Sequence, residues 1–159
     1  AQPNVIHQKM AALTRQGRAS VITQNIDNLY GVAKTAQLVE FHGNLYQVYC
    51  TKCGQHVDWH EYLKSPYHQT DHGYLRPNVV LYDEGIASAN IERAVQYLQQ
   101  ADLVVICGTS FRVYPFAGLI DYRNPKAQVL AINAEPLQLP FAFTMVQQDA
   151  VDFFEGVQV

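Results

Sequence analysis

Short apolar runs along the chain each end abruptly in polar residues, a pattern typical of buried strands that alternate with helices. Three such transitions are Ala19–Thr23 into Gln24-Asn25-Ile26-Asp27-Asn28, Leu103–Cys107 into Gly108-Thr109-Ser110, and Val129–Ile132 into Asn133-Ala134-Glu135-Pro136. The pattern predicts an α/β fold, with a Rossmann-like parallel sheet and helices on both faces. Ligands bind outside the carboxyl ends of such strands, so the three polar strand ends point to one shared crevice.

Two segments have the apolar periodicity of amphipathic helices. Pro3 to Gln16 is the first, and Gly17 is placed to end it. Asn90 to Gln100 is the second, with Ser88 or Asn90 as the expected N-cap.

The segment from Tyr46 to Tyr74 interrupts this rhythm, with a Cys-x-x-Cys pair, aromatic residues and several histidines but no long period. We predict that residues 46–74 form a small inserted module. Residues 1–45 and 75–159 then form one Rossmann-like domain.

Composition narrows the class of protein. A chain of 159 residues that is 48% hydrophobic can bury one core. A net charge of -3 offers no basic field for a polyphosphate backbone, which argues against nucleic acid as a partner. Three cysteines do not make a disulfide framework, so we expect a cytoplasmic protein, and no apolar run is long enough for a membrane span.

Two groups of polar residues have both a chemical and an ordinary structural explanation. Gln24, Asn25 and Asp27 are placed to hydrogen-bond an amide or a ribose, but they are also common formers of turns and helix caps. His42 ends a short strand, and its imidazole suits a general base that takes a proton from a sugar hydroxyl. A single histidine is nevertheless more often structural.

The other two strand ends are equally ambiguous when taken alone. Gly108, Thr109 and Ser110 offer close backbone approach and two hydroxyls for a phosphate, yet they are only a fragment of a phosphate loop. Asn133 and Glu135 lie where dinucleotide folds place a carboxylate on ribose hydroxyls, or they form a polar turn.

Six sequence words follow one another in a fixed order over nearly the whole chain. They are Thr23–Tyr30 (TQNIDNLY), Phe41–Leu45 (FHGNL), Cys50-x-x-Cys53, Leu75–Val80 (LRPNVV), Gly108–Pro115 (GTSFRVYP) and Asn133–Pro136 (NAEP). In this order they resemble the sirtuin family. The resemblance implies an NAD-dependent protein-lysine deacylase that yields nicotinamide, an acylated ADP-ribose and free lysine.

The resemblance also implies roles for individual residues. Gln24, Asn25 and Asp27 line the pocket for nicotinamide and its ribose, and His42 is the general base. The adenine side of NAD is held by five residues: Gly108, Thr109, Ser110, Asn133 and Glu135.

For the acyl-lysine protein or peptide, the resemblance implies a strand over Val79 to Glu84 that pairs with the substrate backbone by β-augmentation. Val79, Val80, Tyr82 and Glu84 are the expected substrate-binding residues. The family's Phe-Gly-Glu appears here as Tyr82-Asp83-Glu84, from which we expect an altered or lost acyl preference.

Two further departures concern NAD and zinc. The family's Gly-Ala-Gly loop and Pro-Asp-Phe-Arg motif do not occur, and the first glycine is Gly17. We therefore expect an upstream segment to be missing and NAD binding to be weak or absent. The family's zinc takes two Cys-x-x-Cys pairs, but only Cys50 and Cys53 are found. His68 and Asp71 stand at the second pair's place, which leaves a mixed zinc site, a redox pair and a metal-free pair as alternatives.

Two other functions are compatible with these residues. Transfer of ADP-ribose to a protein uses the same pocket and the same first step. A non-catalytic NAD or ADP-ribose sensor requires the strand ends but not His42.

Overall fold

Eight strands and six helices make up the chain, whose residues 1–159 are all described by the computed structural model. The strands are β1 (Val21–Thr23), β2 (Leu38–Glu40), β3 (Gly43–Cys50), β4 (His56–Val57), β5 (Leu75–Val79), β6 (Leu103–Cys107), β7 (Gln128–Asn133) and β8 (Thr144–Gln147). The helices are α1 (Val5–Arg15), α2 (Leu29–Val32), α3 (Trp59–Lys64), α4 (Ser88–Gln100), the 3-10 helix α5 (Ala117–Tyr122) and α6 (Ala150–Glu155).

The strands that alternate with helices are parallel, as the sequence predicts. They form two hydrogen-bonded sheets, one of order β1-β2 and one of order β6-β7-β8. Because all strands in each sheet run the same way, their carboxyl ends share one edge, and the polar residues after them lie at that edge. The α/β class is therefore confirmed, with the parallel strands divided between two sheets.

Apolar side chains from strands and helices form two main core clusters. One joins β2 to α4 and α5 through Val39, Ala94, Leu98 and Leu119, with Phe41 fully buried among them. Burial of side chains of this size stabilises the fold by about 1.5–3 kcal/mol each. The buried cluster thus anchors the segment just before His42.

The second predicted helix begins differently from expectation. α4 starts at Ser88, and Ala87 is its N-cap, without a side-chain capping bond. The prediction of Ser88 or Asn90 as the cap is wrong because the Asn90 side chain is used elsewhere: its Nδ2 donates to the carbonyl of Glu40 at 3.1 Å. This bond ties the start of α4 to the end of β2.

The cysteine-containing segment forms an antiparallel sheet of order β4-β3-β5, with α3 against it. The sheet begins at Gly43 and ends at Val79, so its central strand β3 starts before residue 46 and its edge strand β5 lies after residue 74. The domain boundaries at those residues stay a prediction. None of the helices is both long enough and apolar enough to cross a membrane.

Candidate functional site

The carboxyl ends of the parallel strands bring together residues that are far apart in the sequence. Thr109 Oγ1, after β6, donates to Gln24 Oε1, after β1, at 3.4 Å. The Gly108 amide donates to the carbonyl of Ile132 at 3.1 Å, which extends the β6–β7 pairing to the strand ends. We call this edge the strand-end crevice, formed by Gln24, Asn25, Asp27, His42, Gly108, Thr109, Ser110, Asn133 and Glu135.

The loop after β1 is an ordered turn as well as a candidate binding loop. The Asn25 amide donates to Thr23 Oγ1 at 3.1 Å, and the Leu29 amide donates to Asp27 Oδ1 at 3.0 Å. These bonds fix the backbone and leave the exposed Asn25 side chain and Asp27 Oδ2 outside them. The two explanations offered for this loop are therefore compatible.

His42 follows β2 in a tightly held segment. Its carbonyl accepts from the Val80 amide at 3.0 Å, and its half-buried ring lies 6.4 Å from that of Phe116 between centroids. The next residue, Gly43, has φ 84°, and a Cβ there would lie 1.9 Å from the Asn78 carbonyl oxygen. Glycine is thus required for β5 to approach the backbone beside His42.

The loops after β6 and β7 present hydroxyl, amide and carboxylate groups. Gly108 has φ 61°, and the Thr109 hydroxyl accepts from the Phe111 amide at 3.1 Å, which leaves the Ser110 side chain exposed. Asn133 Nδ2 donates to the carbonyl of Glu135 at 2.9 Å, and the Glu135 side chain is exposed. This set of groups fits the ribose and phosphate oxygens of a dinucleotide.

The predicted substrate strand is shorter than expected. β5 ends at Val79, so the prediction of a strand over Val79 to Glu84 is wrong beyond its first residue. The chain turns because Glu84 Oε2 accepts from the Leu81 amide at 2.9 Å and from Arg76 Nη2. Tyr82, in this turn, is 100% exposed.

Four potential metal ligands, which we call the four-ligand cluster, lie together in the antiparallel module. The ligand atoms of Cys50, Cys53, His68 and Asp71 all lie within 4.8 Å of one another. Cys50 Sγ is 3.4 Å from Asp71 Oδ1, Cys53 Sγ is 3.6 Å from His68 Nδ1, and His68 Nδ1 is 3.0 Å from Asp71 Oδ1. Two sulfurs, an imidazole and a carboxylate are a donor set that suits tetrahedral zinc.

Groups around the cluster hold Asp71 in place as an anion. The Gly73 amide donates to Asp71 Oδ1 at 2.9 Å, and this bond, with those from the two cysteines and His68, holds the pKa of Asp71 well below its usual range. Lys52 Nζ donates to the Asp71 carbonyl at 2.8 Å. A Cβ at Gly73 would lie 2.5 Å from Cys50 Sγ, so the position leaves room only for glycine. His72, adjacent in sequence, is exposed and outside the cluster.

A polar network of Glu40, Asn44 and Asn28 lies next to the His42 segment and was not predicted from the sequence. Asn44 is fully buried and bonds to both Glu40 and Asn28. A detectable signal was present, since Glu40 and Asn44 are polar residues placed symmetrically around His42 at the end of an apolar strand.

Comparison with known proteins gives consistent results. The Sir2 family model matches residues 1–115. A Lactiplantibacillus plantarum protein named NAD-dependent protein deacetylase is 99% identical over 159 residues, covering 100% of this chain and 68% of the relative. A Listeria monocytogenes serotype 4b protein of the same name is 49% identical over 157 residues, covering 99% of this chain and 69% of the relative.

Solved structures agree with the sequence relatives. A structure described as Sir2 with a p53 peptide and NAD+ has a TM-score of 0.85 and 30% identity, covering 98% of this chain and 68% of the other. A structure of Sir2 bound to an acetylated peptide has a TM-score of 0.87 and 28% identity, with 98% and 69% covered.

Proposed function

The chain belongs to the Sir2 family, and from this premise we propose that its strand-end crevice serves NAD-dependent deacetylation of protein lysines. The observation that carries the proposal is the contact between Gln24 and Thr109, which joins two strand ends that are distant in the sequence. Relatives of which this chain covers 68% and 69% carry the name of this activity, and similar structures are described with NAD or with an acetylated peptide.

NAD, when bound, would supply the ribose carbon to which the acyl oxygen of the modified lysine bonds as the bond to nicotinamide breaks, and the ribose hydroxyl that then receives the acyl group. Gln24, Asn25 and Asp27 bind the nicotinamide amide and its ribose, because their loop is held rigid and their side chains face the strand edge. His42 accepts a proton from a ribose hydroxyl through its imidazole, which is half-buried and held at both sides of its backbone. This proton transfer lets the acyl group leave the lysine nitrogen.

The remaining crevice residues hold the other half of the dinucleotide. Thr109 and Ser110 bind phosphate and ribose oxygens through their hydroxyls, and Gly108 lets the backbone come close. Asn133 and Glu135 accept hydrogen bonds from the adenine-side ribose hydroxyls.

The acyl-lysine peptide binds beside the edge strand β5. In the sheet order β4-β3-β5, one edge of β5 is free for main-chain pairing. Val79 and Val80 supply this edge, and the Val80 amide already contacts the carbonyl of His42. Tyr82 and Glu84 shape the turn beyond it, so the peptide reaches the crevice next to the proposed base.

Zinc is the ion that we assign to the four-ligand cluster, where Cys50, Cys53, His68 and Asp71 would hold it and fix the module. The chain's three cysteines are free thiols rather than disulfides, which supports a reducing, cytoplasmic location.

The test is NAD-dependent release of nicotinamide with an acetyl-lysine peptide, measured for this chain and for the full-length Lactiplantibacillus plantarum relative. We expect release coupled to free lysine, and none with the unacetylated peptide. Release without free lysine, accompanied by ADP-ribose on the protein, would replace deacetylation by ADP-ribosyl transfer. Binding of NAD without any release would replace it by a sensor.

A further inference from the structure

A buried amide connects the two loops to which the proposed function assigns the chemistry. Asn44 is only 2% exposed. Its Nδ2 donates to Asn28 Oδ1 at 2.9 Å and to Glu40 Oε1 at 2.7 Å, while its Oδ1 accepts from the Tyr46 amide at 2.8 Å. Asn28 ends the loop that carries Gln24 to Asp27, and Glu40 immediately precedes the Phe41-His42 pair.

We propose that Asn44 is a positioning residue, which clamps the His42 segment against the nicotinamide-side loop through these bonds. The inference rests on the proposed function, since it assigns Asn44 a part in the same reaction. A main-chain bond runs along the same contact: the Leu45 amide donates to the carbonyl of Ile26 at 3.0 Å. Side chain and backbone therefore join the same two segments.

The surroundings are shaped for an amide at this position. Asn28 adopts φ 60°, which directs its side chain toward Asn44, and a Cβ at Gly31 would lie 2.1 Å from Asn28 Oδ1. Because Gly31 has no side chain, the side-chain oxygen Oδ1 of Asn28 has room at this position. On the other side, partial burial raises the pKa of Glu40, whose carboxyl group gains a donor in Asn44.

A side-chain amide serves its three neighbours at once. Its two N–H groups donate to Asn28 Oδ1 and Glu40 Oε1, and its oxygen accepts from the Tyr46 amide. Alanine offers none, and aspartate places a second carboxylate beside Glu40. Without the clamp, the two loops keep their own turns but lose their fixed separation, and small misplacements of catalytic groups reduce turnover by up to about 100-fold.

The experiment compares Asn44→Ala with the matched control Asn124→Ala, in this chain and at the same positions of the full-length Lactiplantibacillus plantarum relative. Asn124 Oδ1 also accepts from a nearby amide, that of Lys126 at 3.0 Å, but Asn124 precedes the amino end of β7, the end opposite to the crevice. For Asn44→Ala we expect kcat to fall about 10- to 100-fold, with KM for NAD changed less than about threefold. For Asn124→Ala both constants stay at wild-type values.

Amide hydrogen exchange gives a second readout that needs no activity. In Asn44→Ala the Leu45 and Tyr46 amides should exchange at least about tenfold faster, because Tyr46 loses its acceptor and the bond from Leu45 to Ile26 opens more often without the clamp. The Cys50 amide, which donates to the carbonyl of Gln55 in the antiparallel module, should exchange at the wild-type rate. If the Leu45 amide exchanged at the wild-type rate in Asn44→Ala, the clamp would be refuted, whether or not the proposed function holds.

A third variant covers the case in which Asn44→Ala does not fold. Asn28→Gly removes the acceptor from the other side of the clamp, and glycine accepts the positive φ without strain. Asn28→Gly should also lower kcat and leave the KM for NAD unchanged. Faster exchange at Leu45 combined with wild-type kcat, in either variant, would overturn the positioning role. Absence of activity in the wild-type protein would instead refute the proposed function.

Discussion

The strand-end crevice and the four-ligand cluster are both groups of polar side chains, but their internal contacts differ. In the cluster, the ligand atoms of Cys50, Cys53, His68 and Asp71 lie within 4.8 Å of one another. Among the candidate side chains of the crevice, only those of Thr109 and Gln24 are hydrogen-bonded to each other. The cluster's groups converge on one another, whereas several side chains of the crevice, those of Asn25, Ser110 and Glu135, are exposed.

This difference corresponds to two kinds of ligand. A structural metal stays bound, so its ligands come from one short stretch, converge on one point and contribute to folding. A substrate must enter and leave, so its binding groups need fixed backbones but free side chains. The parallel strands provide such backbones for residues that are far apart in sequence. We therefore expect crevice substitutions to change activity and cluster substitutions to change stability.

Replacing the proposed base should separate activity from stability most strongly. His42→Ala should lower deacetylation about 100- to 10,000-fold, the usual contribution of a general base, and change the free energy of unfolding by about 1 kcal/mol or less. Free lysine release and urea unfolding are the measurements. His60→Ala, which removes an exposed histidine of the module, is the control and should keep full activity. Turnover within tenfold of wild type would show that His42 is not the base.

Removal of one cluster ligand should have the opposite effect. Cys50→Ala deletes a buried sulfur, so the metal content should fall from about one ion per chain toward zero. The free energy of unfolding should fall by about 3 kcal/mol or more. Metal analysis and urea unfolding test this. Cys107→Ala removes a thiol outside the cluster and should keep the metal. Equal metal content in all three proteins would contradict the zinc assignment.

Gly43 lies where the crevice and the module meet, so a substitution there should affect both. In Gly43→Ala the new Cβ would lie 1.9 Å from the Asn78 carbonyl oxygen, and the β3–β5 pair must separate beside His42. We expect a loss of about 3 kcal/mol. Gly17→Ala is the matched control: its φ is 70°, but no atom lies within 4 Å of its Cβ position, so its loss should be about 1 kcal/mol. Equal losses in urea unfolding would show that the close approach is unimportant.

The same two regions show how far the sequence alone predicts the structure. The strands that precede Gln24 and Thr109 follow from local patterns, because apolar runs of strand length and the polar residues after them are visible without tertiary information. Cys50 and Cys53 indicate a metal by their spacing. His68 and Asp71 were located through the resemblance and not through any pattern of their own.

What the sequence did not predict depends on contacts between distant segments. The Asn90 side chain bonds to the Glu40 carbonyl instead of capping its helix, and Glu84 folds back onto Leu81 instead of extending a strand. Asn44 reads as an ordinary strand residue until its partners Asn28 and Glu40 are known. In each case a long-range or turn-forming hydrogen bond outweighs local propensity.

The smallest predicted effect concerns the turn at the crevice's substrate side. Hydrogen bonds from Arg76 and then from the Leu81 amide lower the pKa of Glu84 to about 2, from an ordinary value of 4.5. A depressed folded-state pKa stabilises the protein above pH 4.5, and this contribution is lost as pH falls from 4.5 toward 2. Glu84→Gln should therefore lose less stability than wild type between pH 5 and pH 3 (about the window of that shift) in urea unfolding. Because the ion pair is exposed, the difference should shrink in about 1 M salt. Asp83→Asn, the control at the neighbouring carboxyl, should show the same dependence of stability on pH as wild type. If Glu84→Gln shows that dependence too, the ion pair does not hold the turn.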